Sequence, residues 1–128
     1  MFRDTLGLRI AGESENYGTE QEHLNQVFGA RLRITALRAT QGPGIEFLEY
    51  LSPNDGQPMP ESERANDLYH WHTRLVTTHM PALIRQLKDM QTPFLSGGPI
   101  TLPSPTLGFA TGLLIRDPTG HVLQIVQR

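Results

Sequence analysis

The sequence predicts an α+β fold built from two related halves, and three observations predict it. Gly44-Ile45-Glu46-Phe47-Leu48-Glu49-Tyr50 has a counterpart in Gly120-His121-Val122-Leu123-Gln124-Ile125-Val126. Each is a short apolar run entered through a glycine, with one polar side chain in its middle, Glu46 or Gln124. The clearest helix lies in the second half, where Met80, Leu83, Ile84, Leu87 and Met90 follow one-faced helical spacing. Between the halves, residues 53–67 hold three prolines and almost no large apolar groups, so they read as a linker.

The totals narrow the class. A chain of 128 residues forms one domain able to bury its own core. The lack of cysteine removes disulfides, thiolate metal sites and a cysteine nucleophile, and fits a reducing, cytoplasmic setting. Eleven basic and thirteen acidic side chains give a net charge of -2, which offers nucleic acid no basic surface. No apolar run approaches the ~20 residues of a membrane span, so no membrane partner is expected. Charge interrupts the start at Arg3-Asp4, unlike a signal peptide.

In chain order, Phe2–Leu6 reads as the end of a helix stopped by Gly7. Leu8–Ala11 alternates like a strand, and the polar stretch from Glu13 to Gly18 reads as a loop. Thr19 and Glu22 have capping-box spacing, opening a short helix whose apolar face is Leu24, Val27 and Phe28 and whose end is Gly29. Arg31–Ala36 alternates again, Gln41–Gly44 turns, and Ile45–Leu51 is the next strand. Leu68–Val76 is a strand, and Thr77 or Thr78 caps the helix carrying Pro81 in its first turn. Phe94-Leu95 begins a strand. Gly97-Gly98-Pro99 and Pro103-Ser104-Pro105 bracket an extended stretch. Phe109–Arg116 and His121–Gln127 are strands joined by the Asp117-Pro118-Thr119-Gly120 turn. The second half, 68–128, thus reads β-α-β-β-β. The first, 1–52, reads as the same unit without its first strand and most of its helix.

Three segments in this order resemble the glyoxalase / bleomycin-resistance / dioxygenase group, the vicinal oxygen chelate superfamily. They are Phe2–Leu8, Gly44–Glu49 and Arg116–Ile125, and the resemblance spans nearly the whole chain. It implies two βαβββ-type modules forming a curved mixed sheet around a cleft, the first module lacking its first strand. It further implies up to four metal ligands, from the first and last strands of each module. Carried over by position, Glu46 matches one ligand and His72 another, Gln124 stands where a glutamate is usual, and the fourth place precedes Met1. Bleomycin-resistance members keep the fold without metal and bind their ligand in a dimer cleft.

The residues carry their own argument beside this. Glu46, Leu48 and Tyr50 share one strand face; His70, His72, Arg74 and Val76 share another; Val122, Gln124 and Val126 a third. A polar residue in an apolar strand is costly unless it finds a partner. An imidazole, a carboxylate and an amide oxygen suit Fe, Mn, Ni or Zn with open positions, Glu46 then moving a proton as the catalytic carboxylate. The plainer reading makes Glu46 and His72 hydrogen-bonded residues with no metal. His70, Arg74 and Arg33 are the candidate substrate-binding residues, Arg31 standing beside them as a further cation; solvated strand positions are their plainer reading. Trp71, Phe109 and the Met80–Met90 stripe read as core. Gly97-Gly98 lacks the context of a phosphate loop.

The leading expectation is a glyoxalase-like protein with a small-molecule ligand in its cleft, a metal-dependent lyase, isomerase or dioxygenase. The alternatives are a metal-free small-molecule binding protein and a degenerate member without activity. A sheet short of a strand exposes unpaired backbone, so a homodimer is expected.

Overall fold

The computed structural model describes residues 1–104 and 106–128. The chain divides into two compact units, Met1–Gln57 and Pro58–Arg128. The first holds β1 (Arg9–Tyr17), α1 (Thr19–Asn25), β2 (Arg31–Arg38) and β3 (Ile45–Ser52), and its strands form an antiparallel sheet in the order β1-β2-β3. The second holds β4 (His72–Val76), α2 (Met80–Asp89), β5 (Ile100–Thr101), β6 (Thr111–Arg116) and β7 (Val122–Gln127). Its sheet has the order β4-β7-β6-β5, with β4 parallel to β7. The α+β class is as the sequence predicts. Three strands in the first unit against four in the second match a first module without its first strand.

In the first unit, Phe2–Leu6 forms turns closed by Leu8 N–H donating to the Phe2 carbonyl at 3.0 Å, with Gly7 at φ 73°. That positive φ is the reason a glycine ends this segment. Phe2 then packs edge-on against Phe47 of β3, ring centroids 4.6 Å apart. The polar stretch from Glu13 is strand rather than loop, since β1 runs to Tyr17. All nine β1 residues are exposed, so no apolar alternation marks it; its ladder to β2 and the Glu15–Arg31 ion pair hold it. The capping box does not form. Gly18 occupies the N-cap, and the Glu22 carboxylate accepts the Gly29 N–H at 3.0 Å instead. Nor are Leu24 and Phe28 an inward face: both are exposed, and the buried residue of α1 is Gln21.

In the second unit, α2 covers one face of the sheet. Leu83 and Leu87 are buried, and the Met80 N–H donates to Gln127 Oε1 at 2.9 Å, placing the start of α2 over the Leu123–Ile125–Gln127 side of β7. Gln127, not a threonine of the helix start, thus satisfies that helix-end donor; Thr77 Oγ1 accepts the His79 N–H just outside the helix. Met90 lies beyond the last turn, 46% exposed, and is not core. Leu68–Trp71 is not strand. The His70 N–H donates to the Asp67 carbonyl at 3.0 Å, closing a turn over Leu68 and Tyr69, and Leu68 is fully exposed. Phe94 makes one isolated bridge to Ile115. The extended stretch is β5, while Pro105, part of its expected bracket, lies outside the described residues. The Asp117–Gly120 turn forms as expected: Gly120 N–H donates to the Asp117 carbonyl, and Asp117 Oδ1 accepts from Thr119 and His121. No helix among the described residues is long and apolar enough to cross a membrane.

Candidate functional site

Strand register assembles one polar group on the second unit's sheet, on the side away from α2. Arg74 stands opposite Gln124, and His72 opposite Val122, across the parallel β4–β7 pair. Across β6–β7, Leu114 stands opposite Gln124 and Arg116 opposite Val122. Paired residues share a face. His72, Arg74, Gln124 and Arg116 therefore lie together; parity within β4 gives the shared face of the first two, and the β4–β7 register adds Gln124.

Gln124 is the centre of this group. Val122 and Val126 on either side of it are 1% exposed, so its amide sits in an apolar row and needs a partner. The partner is Arg74, whose Nε–H donates to Gln124 Oε1 at 2.5 Å. The Arg74 guanidinium also lies over the Phe109 ring, 5.2 Å from its centroid. Phe109 is buried, as expected of a core residue. It reaches this face because residue 112 is glycine: a Cβ there would come within 2.9 Å of Phe109 Cε2.

His72 is exposed and has no hydrogen-bond partner among the described residues; its ring lies 5.7 Å from that of His70. His70 sits outside the strand and is held by Glu63, its Nδ1 2.6 Å from Glu63 Oε1. The other Glu63 oxygen accepts from Arg116 at 2.7 Å, and Arg116 also donates to the Gly120 carbonyl at 2.6 Å. The Glu63 side chain is 1% exposed. Its hydrogen bond to the Arg116 guanidinium holds the carboxyl below the usual carboxylate range; burial opposes this and His70 reinforces it. Sequence reasoning missed Glu63, because it lies in a polar, proline-punctuated stretch that offers no periodicity. Trp71 was expected in the core; it is 56% exposed, its ring 5.1 Å from His121.

The first unit places Glu46 on β3 with Leu48 and Tyr50 on one face, opposite Ala36 of β2. Glu46 is exposed and lines an open hollow of about 320 Å³ with Ala36, Arg38 and Gly44 among its walls. Arg33 is paired with Glu49, directly opposite in the ladder, at 2.9 Å. A larger open hollow of about 690 Å³ lies beside α1, lined by Glu15, Tyr17, Glu22 and Arg31 among others.

No family model and no curated protein matches the sequence. Solved structures match throughout. A glyoxalase family protein from Bacillus cereus superposes with a TM-score of 0.79 at 13% identity, over 97% of this chain and 80% of that one. The lactoylglutathione lyase of Agrobacterium tumefaciens gives 0.56 at 11% identity, over 98% and 79%. A glyoxalase/bleomycin resistance protein/dioxygenase superfamily member from Sphaerobacter thermophilus gives 0.52 at 14%, over 99% and 82%. The chain has the glyoxalase / bleomycin-resistance / dioxygenase fold. At these identities the likeness is one of fold.

A tightly held divalent metal needs several free donors aimed at one point. In the second unit, Gln124 Oε1 already accepts a hydrogen bond from a permanent cation. That cation, Arg74, lies on the same strand face as His72 and would repel a second positive charge. Among the described residues, no three His, Asp or Glu side chains gather as a metal site would require. The donors of the second unit do not fit a tightly held divalent metal.

Proposed function

We propose that this chain is a metal-free small-molecule binding protein built on the glyoxalase fold, with its ligand held on the Gln124 face of the second unit. The observation that carries the reading is the Arg74–Gln124 hydrogen bond, which commits the expected ligand oxygen to a guanidinium. His72 and His70 border this face and are the further polar groups a ligand would meet. The homodimer expected from the sequence belongs to the same reading, and the exposed Leu24 and Phe28 of α1 are apolar surface it would use.

Metal analysis of protein purified without a metal-binding tag tests this. The expected content of Fe, Mn, Ni and Zn is far below one per chain, before and after incubation with each ion and desalting. Stoichiometric metal that is lost in His72→Ala and in Glu46→Gln would overturn the proposal. It would favour the second reading, a metal-dependent lyase with Glu46 as the catalytic carboxylate and His72 and Gln124 as ligands. The fold likeness to the Agrobacterium lactoylglutathione lyase is the observation on that side.

A further inference from the structure

Arg74 is a cation of the second unit held in place by two neighbours. Its Nε–H is fixed by Gln124 and one side of its guanidinium by the Phe109 ring. Phe109 is itself pinned, 5% exposed and seated over Gly112 where no larger residue fits. Arg74 nevertheless remains exposed, and its charge is not neutralised. Arg31 meets Glu15, Arg33 meets Glu49 and Arg116 meets Glu63, whereas no carboxylate among the described residues lies within ion-pair distance of Arg74. A guanidinium held at Nε presents its two terminal nitrogens outward as a planar fork, which matches the two oxygens of a carboxylate.

We infer that Arg74 supplies the positive charge of this site in place of a metal, and that the ligand it recruits is a small organic carboxylate. The inference rests on the metal-free reading above and adds the ligand class to it. Gln124 then acts as a positioning residue: its oxygen orients the fork, and the Val122 and Val126 flanks keep the amide in place. Val76, two residues further along the same face of β4 and 55% exposed, offers apolar surface beside the guanidinium, which suits an organic acid better than a bare inorganic ion. His72 lies two residues earlier on the same strand face, roughly 7 Å along β4, within reach of a second substituent on the ligand.

The test is a titration of the full chain with benzoate, benzamide and inorganic phosphate at constant ionic strength, followed by backbone and side-chain amide shifts in nuclear magnetic resonance. Benzoate and benzamide share shape and differ in charge. The expected result is millimolar or tighter benzoate binding that moves the Arg74 Nε–H and Gln124 side-chain signals. Benzamide binds roughly 10- to 100-fold more weakly, the loss of a charge-assisted contact. Arg74→Gln loses benzoate affinity by a similar factor, and Arg74→Lys loses part of it. Equal binding of benzoate and benzamide to the wild-type protein overturns the inference while leaving small-molecule binding intact, even if the variants fail to fold. No shift with benzoate at millimolar concentration also overturns it. Phosphate binding as tightly as benzoate overturns the organic-acid assignment. Stoichiometric metal in the purified protein sinks the metal-free reading instead, and is seen without any titration.

Discussion

β7 buries four of its six residues, whereas β3 buries none of its eight. The two strands were paired in the sequence by their glycine entries and their central polar residues. Their surroundings separate them. β7 is hydrogen-bonded on both sides, to β4 and β6, while β3 is the end strand of its own sheet. An internal strand forces its polar residue to find a protein partner, and Gln124 has Arg74. Glu46 is exposed, so water can solvate its carboxylate and no protein partner is needed. The rule that a polar residue in an apolar strand marks chemistry therefore carries weight in β7 and little in β3.

The sharpest way to break this comparison is to delete the same kind of volume from each strand. Ile125 is 1% exposed and Leu48 is 43% exposed. Ile125→Ala is expected to lose about 2–5 kcal/mol of unfolding free energy in urea, through lost burial and the cavity left behind. Leu48→Ala is expected to lose less than about 1 kcal/mol, because much of that side chain is already in water. Equal losses would mean that β3 is covered in solution and that its open face is not a feature of the protein.

The next effect concerns Glu63, whose folded-state carboxyl is held below its ordinary range, first by Arg116 and then by His70. A carboxyl with a depressed folded pKa binds protons more weakly folded than unfolded. Its stabilisation is thus fully present above the unfolded value, about pH 4.3, and is lost as pH falls through the lower folded value. Thermal midpoints measured from pH 7 down to pH 3 should fall for the wild-type protein over the acid end of that range. Glu63→Gln should start from a lower midpoint at pH 7, because Arg116 and His70 lose a buried anion, and should fall less steeply below pH 5. Parallel curves for the two proteins would show that Glu63 is not the titrating group.

Much of this fold was legible because its signals are local. The 3, 4, 7 spacing from Met80 to Leu87 shows α2, and the Asp-Pro-Thr-Gly turn shows the β6–β7 hairpin. β1 was only half legible: Glu13–Tyr17 is polar on both faces, and backbone pairing with β2 alone makes it strand. Leu68–Trp71 misled in the opposite sense, since Leu68 and Tyr69 sit in a turn closed by the His70 N–H on the Asp67 carbonyl. Parity grouped His72 with Arg74 on β4 and Gln124 with its valines on β7, and the parallel register joins the two faces. Partner choice was not legible. Whether Gln124 would meet a metal or a guanidinium depends on Arg74 standing opposite it in the parallel register, and on Gly112 leaving room for Phe109. Glu63, distant in sequence from Arg116, gave no signal at all.

The smallest expected effect uses a second matched pair. Arg33 stands opposite Glu49 across β2–β3, as Arg74 stands opposite Gln124 across β4–β7. Each arginine bonds the residue facing it, yet one partner is a carboxylate and the other a neutral amide. The Arg33 and Glu49 side chains are 54% and 61% exposed, so their pairing is worth about 0.2–1 kcal/mol. A double-mutant cycle with Arg33→Gln and Glu49→Gln should return a coupling of that size in low salt, and less of it at about 1 M salt, where screening reaches within about 3 Å. Arg33→Gln should also leave benzoate binding unchanged, since the Arg33 charge is already answered by Glu49. A loss of benzoate affinity in Arg33→Gln as large as in Arg74→Gln would show that the binding follows net charge, and that the two arginines are not distinguished by the partner opposite them.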